Sequence, residues 1–181
     1  MILYIIRHGD PNYTTDSLTP KGAAQAEALG KRLFDSGIQQ IYSSPLGRAQ
    51  ETAAPACRLF GLPCQIEPWA HEISESRMAS PPSDGIPLYN FQNTCFLENG
   101  NAEIGLRDAL TCPHFSDSRM DEAMEEIRNG GRDFLARLGY REENGVYRIL
   151  HENENKVALF CHVAFARTWL SMLLSIPVHI M

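Results

Sequence analysis

The stretch ILYIIRHGD, residues 2–10, carries the first indication of the fold. Its first five residues are apolar and rich in isoleucine, which predicts a short strand buried on both faces of a sheet. Polar residues follow without a spacer, so Arg7, His8 and Gly9 come directly after the carboxyl end of this predicted strand. We therefore expect Arg7 and His8 to lie at one edge of a sheet.

Strands and helices alternate in the sequence that follows. Thr19 offers an N-cap hydroxyl and Pro20 suits the first helical position, so a helix is predicted to begin there and to end at Gly37. Further strands are predicted at residues 40–43, 64–67, 146–150 and 156–161, the last two joined by the polar turn HENEN. Further helices are predicted at residues 45–60, 117–139 and 164–175, with a weak point or kink at the Gly130–Gly131 pair. This alternation predicts an α/β fold with a mostly parallel central sheet.

Residues 73–113 have a different composition, rich in Ser, Pro, Asn and Gly and without a clear period. We interpret the 181 residues as a single domain in which residues 73–145 form a cap or insertion-type excursion. That segment is expected to set the substrate, although it carries no motif that identifies one.

Composition and charge exclude several classes of protein. The formal net charge of −6 disfavours a protein that binds nucleic acid or anionic membrane. The five cysteines are scattered and include no close CxxC pair, which favours reduced cytosolic thiols over disulfides or a zinc site. Residues 157–176 approach the length of a membrane span, but His162 and Arg167 would be costly in lipid. We expect a cytoplasmic protein.

Several charged and nucleophilic side chains follow the predicted strands. In parallel sheets, ligands bind outside the carboxyl ends of the strands. The residues that follow these ends here are Arg7, His8, Arg48, Glu72 and His162. Guanidinium groups match phosphate oxygens, a neutral imidazole is a nucleophile, and a carboxyl group can move protons. With no DxD pair, HExxH or other metal-ligand spacing beside them, the set predicts phosphoryl transfer through a phosphohistidine, without metal or cofactor.

Three motifs carry a resemblance to a known family. Arg7-His8-Gly9, the helix opening LTPKGAAQA at residues 18–26 and SSPLGRAQETA at residues 43–53 resemble the histidine phosphatase superfamily, also called the phosphoglycerate-mutase-like family. Residues 160–177 look like the last catalytic block of that family. The resemblance covers roughly residues 1–73 and 146–177, and it implies a three-layer α/β/α sandwich of the phosphoglycerate-mutase type.

The resemblance also implies roles for the site residues. His8 would be the nucleophile, Arg7, Arg48 and His162 would hold the phosphoryl group, and Glu72 would donate the proton, with Glu67 and Glu75 as alternatives for that acid. The expected ligands are a small phosphomonoester and inorganic phosphate, and the oligomeric state stays open. The sequence departs from the family at Asp10, where Glu or Gln is usual, and at Val163, where Gly is usual. The family's sheet commonly continues beyond Pro177, so a final edge strand is expected to be missing or trimmed.

Three other functions are weighed against a phosphatase. A mutase would return the phosphoryl group to a bound sugar acid, and a catalytically silent phosphate-binding domain would fit the departure at Val163. A cysteine-dependent phosphatase is suggested by Cys161 and Arg167, which have the spacing of that enzyme's loop. The intervening HVAFA, however, lacks the glycine that such a loop favours. Hydrolysis through His8 remains the preferred prediction.

Overall fold

The computed structural model describes residues 1–73 and 120–176, which fall into two compact units. The first unit comprises Met1–Glu72 and Leu135–Ala166, and the described part of the second takes in Ile73 and residues 120–134 and 167–176. Most of the predicted excursion over residues 73–145 lies outside the described residues. The single domain, the excursion and the missing edge strand therefore stay predictions.

Strands and helices alternate in the observed order as well. The amino-terminal elements are β1 (Ile2–Arg7), β2 (Pro11–Asn12), β3 (Ser17–Leu18), α1 (Pro20–Leu33), β4 (Gln40–Ser43), α2 (Gly47–Phe60) and β5 (Cys64–Ile66). The later elements are α3 (Met120–Arg137), β6 (Tyr140–Glu143), β7 (Val146–Ile149), β8 (Lys156–Cys161) and α4 (Val163–Leu174). In the part of the chain described here, no helix is both long and apolar enough to cross a bilayer.

The first unit is built on a parallel sheet with the strand order β1-β8-β4-β5. Its core consists of apolar side chains from β4, β8, α1 and α2, among them Ile41, Ala53 and Phe160, none of which is exposed. The predicted α/β fold with a mostly parallel central sheet is confirmed. The prediction that β1 is buried on both faces is wrong: its side chains are half-buried or exposed, and β1 stands at one end of the described sheet.

Helix α1 begins where the sequence predicts. Thr19 has an extended backbone, and its Oγ1 accepts the N–H of Gly22 at 3.1 Å, which satisfies one of the unpaired donors of the first turn. The same hydroxyl donates to Asp10 Oδ2 at 2.7 Å, so the cap is tied to the loop after β1. Asp10 therefore binds within the loop between β1 and α1.

The structure corrects one predicted boundary and adds a strand pairing that the sequence left open. Helix α2 begins at Gly47 rather than at Pro45, since Leu46 still has the extended backbone of an N-cap residue. Residues 146–149 do not pair with the strand that follows the HENEN turn. They form an antiparallel hairpin with β6, a strand that the sequence analysis missed, while β8 joins the parallel sheet.

The glycine pair of α3 has a packing role in the second unit. The helix runs through Gly130 and Gly131 without interruption. A Cβ at Gly131 would lie 2.4 Å from Nε1 of Trp169, a separation that real Cβ atoms do not adopt. The indole of Trp169 also packs against Phe134 edge-on, with ring centroids 6.0 Å apart. Glycine is needed here because the tryptophan occupies the space of a side chain.

Candidate active site

Backbone hydrogen bonds continue the parallel sheet past the ends of its strands. The N–H of His8 donates to the carbonyl of Cys161 at 3.0 Å, and the N–H of Ser44 donates to the carbonyl of Phe160 at 2.8 Å. These bonds hold the residues that follow β1 and β4 against β8. The sheet therefore positions the backbone of the residues whose side chains follow the strands.

The imidazole of His8 is held in one orientation. Its Nδ1 lies 2.7 Å from the carbonyl oxygen of Gly9, an acceptor only, so Nδ1 carries the proton and Nε2 keeps its lone pair. The N–H of Gly9 in turn donates to Thr52 Oγ1 at 3.0 Å, which fixes the carbonyl that orients the ring. Burial, with Arg48 and Arg7 nearby, lowers the pKa of His8 below its usual range. The neutral form with a free Nε2 is thereby favoured.

His162 lies beside His8, with ring centroids 5.2 Å apart, and is fully buried. Burial, strengthened by the nearby Arg48, lowers the pKa of His162 to about 2, so its ring is neutral. Its Nε2 lies 2.7 Å from Ser44 Oγ, which also accepts the N–H of Leu46 at 3.2 Å. In one tautomer of the neutral ring, the Ser44 hydroxyl donates to Nε2. Nδ1 then carries the ring proton, and within the described residues this buried atom has no hydrogen-bond partner.

The two arginines differ in their surroundings. Arg48 is in the first turn of α2 and is 8% exposed, whereas Arg7 ends β1 and is exposed. Nη1 of Arg48 forms an ion pair with Asp16, and its guanidinium lies 5.4 Å from the centroid of the Tyr13 ring. Nε of Arg48 is buried and, among the residues that the structure describes, has no hydrogen-bond partner. Arg48 thus presents a buried donor beside two neutral imidazoles.

The three glutamates proposed for the acid have different environments. Glu67 is buried, and its carboxylate binds Arg137 through Oε1 and the indole N–H of Trp69 through Oε2, the latter at 2.7 Å. Glu72 is half-buried, and its Oε1 accepts the N–H of Phe165, in the first turn of α4, at 3.0 Å. Glu75 lies outside the described residues. Both carboxylate oxygens of Glu67 are therefore engaged with other side chains. Glu72 is hydrogen-bonded to α4, the helix that follows His162.

The sequence predicted these residues one by one, and the structure adds the groups that hold them. His8, His162 and Arg48 are adjacent, and Arg7 is close enough to affect the pKa of both histidines. The sequence pattern did not indicate Asp16, Ser44 or Thr52 as part of the site. Ser44 and Thr52 lie in the quoted motif SSPLGRAQETA, so the motif itself contained their signal. Asp16 carried none, because its contact with Arg48 spans 32 positions.

Two further features bear on the chemistry of the site, namely metal-ligating groups and the buried Cys161. No cluster of three or more His, Cys, Asp or Glu side chains suited to a metal ion occurs within residues 1–73 and 120–176. Cys161 is fully buried, and this burial raises the pKa of its thiol to about 12. A thiol with this pKa is protonated at neutral pH and is a poor nucleophile. Among the described residues, the groups found together after the strands of the parallel sheet are the imidazoles of His8 and His162 and the guanidinium groups that affect their pKa values.

Comparison with known proteins gives three kinds of similarity. Residues 3–91 match the family model of the histidine phosphatase superfamily, branch 1. A Yersinia pestis protein named "Probable phosphoglycerate mutase GpmB" is 31% identical over 93 residues, covering 46% of this chain and 43% of that protein. The chain thus aligns with less than half the length of this curated relative.

Solved structures share the fold over nearly the whole chain. A mycobacterial glucosyl-3-phosphoglycerate phosphatase superposes with a TM-score of 0.63 at 23% identity, covering 98% of this chain and 81% of that one. Entamoeba histolytica phosphoserine phosphatase, solved with 3-phosphoglyceric acid, gives a TM-score of 0.59 at 21% identity, with coverages of 98% and 82%. The motifs, the parallel sheet and the family match over residues 3–91 confirm the predicted resemblance to the histidine phosphatase superfamily.

Proposed function

We propose that this protein is a metal-independent phosphatase that hydrolyses a small phosphomonoester through a phosphohistidine on His8. The observation that carries the proposal is the state of the His8 ring. Its Nδ1–H is bound to the carbonyl of Gly9, and its lowered pKa favours the neutral form. Nε2 is then available as the attacking atom in the site that holds Arg48 and His162.

The unpartnered donors around His8 support a phosphoryl ligand. Arg48 Nε is a buried donor, as is His162 Nδ1 in the tautomer that protonates it, and neither atom has a hydrogen-bond partner in the described chain. Buried donors are normally satisfied, and the equatorial oxygens of a phosphoryl group would supply acceptors for both. Arg7, exposed at the end of β1, supplies a second guanidinium for the same charge.

The reaction needs two steps. In the first, Nε2 of His8 forms a bond to phosphorus while the bond to the ester oxygen breaks, and Glu72 gives its proton to the departing alkoxide. In the second, water attacks phosphorus, its proton passes to the Glu72 carboxylate, and the P–N bond breaks to release inorganic phosphate. Arg48, Arg7 and His162 stabilise the negative charge in both steps.

The test is hydrolysis of p-nitrophenyl phosphate and of a panel of metabolite phosphates, with and without a chelator. We expect turnover that the chelator does not change and that His8→Ala abolishes. His151→Ala is the matched control, because His151 is exposed and belongs to the turn before β8. This variant should retain wild-type turnover.

The covalent intermediate gives an independent readout. Rapid quenching should trap a phosphoryl label that is stable in alkali and labile in acid, as expected for phosphohistidine, and it should be absent from His8→Ala. Turnover that survives in His8→Ala would contradict the proposal. Phosphate binding without turnover of any substrate would indicate the silent phosphate-binding domain instead.

A mutase is the second candidate, favoured by the relative that carries the name of phosphoglycerate mutase. Both reactions share the phosphohistidine and differ only in the acceptor of the second step. Phosphoglycerate isomerisation that depends on a bisphosphate primer, at a rate above hydrolysis, would make the mutase the better description. The cytoplasmic location and the absence of nucleic-acid partners stay predictions.

A further inference from the structure

The loop between β1 and α1 is anchored to the first turns of α2. At its base, β2 and β3 pair through Pro11–Leu18 and Asn12–Ser17. The N–H of Leu18 donates to Glu51 Oε2, one turn beyond Arg48 on α2, at 2.6 Å. The tip of the loop carries Tyr13 and Asp16, which both contact Arg48. The loop and the arginine are therefore one structural assembly.

Asp16 contacts α2 through both oxygens of its carboxylate. Oδ1 forms the ion pair with Nη1 of Arg48, and Oδ2 accepts the N–H of Gly47 at 2.6 Å. The approach is close, because a Cβ at residue 47 would lie 2.2 Å from the carbonyl oxygen of Asp16. Asp16 also has a φ of +48°, a left-handed conformation that Asp and Asn adopt more readily than most residues.

These contacts engage Nη1 and one face of the Arg48 guanidinium, and they do not involve Nε. Nη1 is bound to Asp16, and the ring of Tyr13, itself 69% exposed, lies over the guanidinium. Nε is the buried atom of Arg48 that lacks a hydrogen-bond partner in the described structure. Because the guanidinium is planar and rigid, a carboxylate that fixes Nη1 also fixes the direction in which Nε points.

We propose that Asp16 is a positioning residue that orients Arg48 so that its Nε faces the phosphoryl group. The inference rests on the proposed function, since it assigns a phosphoryl ligand to that donor. Asp16 acts through Arg48 and does not touch the substrate. The same contact explains why glycine stands at residue 47, where the backbone carbonyl oxygen of Asp16 comes too close to the helix for a side chain.

The experiment is a double-mutant cycle read out by binding of inorganic phosphate, which does not depend on turnover. Asp16→Asn keeps the left-handed backbone and the shape but replaces one acceptor oxygen with a donor. Asp16→Gly keeps the left-handed backbone and removes the group entirely. We expect each variant to weaken phosphate binding by roughly tenfold, the typical scale for losing a charge-assisted contact. In an Arg48→Met background, Asp16→Asn should change phosphate affinity by less than about twofold.

Glu27→Gln is the matched control. Glu27 and Arg58 form a carboxylate–arginine pair between α1 and α2 at 2.6 Å, outside the site, so phosphate affinity should not change. Circular dichroism and urea unfolding would establish that every variant is folded. In the wild type, phosphate should also shift the Nε–H resonance that disappears in Arg48→Met, a readout that needs no change at Asp16.

The possible outcomes separate the two proposals. Unchanged phosphate affinity in Asp16→Asn, or an equal loss with and without Arg48, would overturn the role of Asp16 while the phosphatase stands. Phosphate binding that behaves as expected without any hydrolysis would overturn the phosphatase while the role of Asp16 stands. A wild-type chain that binds no phosphate would overturn both.

Discussion

Ser44 Oγ lies 2.7 Å from Nε2 of His162, and this contact joins residues 118 positions apart in the sequence. Both side chains are fully buried. In the tautomer in which the serine hydroxyl donates to Nε2, the proton of the neutral ring is held on Nδ1. The bond thus determines which atom of His162 can donate to a ligand.

Replacing Ser44 should therefore impair the site without removing a group that contacts substrate. We expect Ser44→Ala to lower kcat/KM for p-nitrophenyl phosphate by roughly tenfold or more, because the ring loses its orientation and its tautomer. Stability should fall by about 1–3 kcal/mol, the scale for leaving a buried polar atom unpaired. Steady-state kinetics and urea unfolding measure the two effects.

Ser43→Ala is the control for this prediction. Ser43 is also fully buried, but its hydroxyl donates to the carbonyl of Ser44 rather than to a histidine. It should lose stability by a similar amount and retain most of its activity. Equal losses of activity in the two variants would contradict the specific role of Ser44.

The low pKa of His162 predicts how stability depends on pH. The folded chain keeps this ring neutral down to a pKa of about 2, whereas in the unfolded chain it binds a proton near pH 6.5. The unfolded state therefore binds more protons as the pH falls below about 6.5. The contribution of His162 to stability is lost progressively there, with a limiting slope of about 1.4 kcal/mol per pH unit.

Urea unfolding at pH 7.5, 6.0 and 5.0 would measure this loss. The glutamine side chain of His162→Gln cannot titrate. The free energy of unfolding of this variant should therefore depend on pH less steeply than that of the wild type, with a slope smaller by up to the equivalent of one bound proton. His151→Ala, which replaces an exposed histidine, should keep the wild-type slope. Parallel curves for wild type and His162→Gln would show that the buried ring is not the group responsible.

The ionisation of His8 predicts the acidic limb of the rate profile. Burial, with Arg48 and Arg7 nearby, lowers the pKa of His8, so the nucleophile should be lost only as the pH falls below about 6.5. Arg7→Met removes a positive charge that lowers this pKa. The acidic limb of kcat/KM should therefore move to higher pH, in addition to the overall loss of rate.

The ionisation of the substrate phosphate contributes equally to the pH profile of every variant, so it cancels when variants are compared on one substrate. Arg58→Met is the control, since Arg58 is exposed on α2 and pairs with Glu27. Arg58→Met should change neither kcat/KM nor the pH at which its acidic limb falls. A limb that moves to lower pH in Arg7→Met would mean that His8 is not the titrating group.

The assignment of the acid can be decided between Glu72 and Glu67. We expect Glu72→Gln to lower kcat by about 10²–10⁴-fold for an alkyl phosphate, whose leaving group needs a proton, and by much less for p-nitrophenyl phosphate. Glu67→Gln should instead reduce stability, because it disrupts the contacts of this buried carboxylate with Arg137 and Trp69. The dependence of kcat on leaving-group pKa, measured over a series of esters, separates the two residues.

Either of two results would contradict that assignment. A leaving-group dependence that steepens in Glu67→Gln and not in Glu72→Gln would exchange the roles. No change of dependence in either variant would move the acid to another residue, with Glu75 the remaining candidate.

Gly22 is predicted to be essential for packing against the loop after β1. A Cβ at this residue would lie 2.2 Å from the carbonyl oxygen of Asp10. Alanine would favour an exposed helix by about 1 kcal/mol relative to glycine. Here we expect Gly22→Ala to destabilise the protein by about 1–3 kcal/mol, the scale of overpacking. Activity should fall too, because Gly9, next to His8, also packs against Gly22.

Thermal or urea unfolding shows whether Gly22→Ala raises or lowers the stability of the protein. The sign of this change decides between helix propensity and overpacking as the dominant effect. Lys31→Ala, at an exposed residue of the same helix, should change stability by less than about 0.5 kcal/mol. Stabilisation by Gly22→Ala would show that the loop can move away from the helix at little cost.

The sequence by itself determined most of the local elements and the catalytic candidates. Thr19 and Pro20 begin α1 as their chemistry requires, and β4 has the predicted bounds. His8 follows β1, and His162 follows β8, because apolar runs end abruptly at polar residues. These features depend on neighbours within a few positions, so they can be read from a short stretch of sequence.

Only the tertiary structure decided which groups orient the candidates. Asp16 reaches Arg48 across 32 positions, Ser44 reaches His162 across 118, and Glu72 reaches the N–H of Phe165 across 93. The pairing of β7 with β6 and the need for glycine at residue 131 likewise depend on partners that no local period specifies. Side-chain contacts of this kind follow from the packing of elements distant in the sequence, and the positions of those elements become known only once the chain is folded.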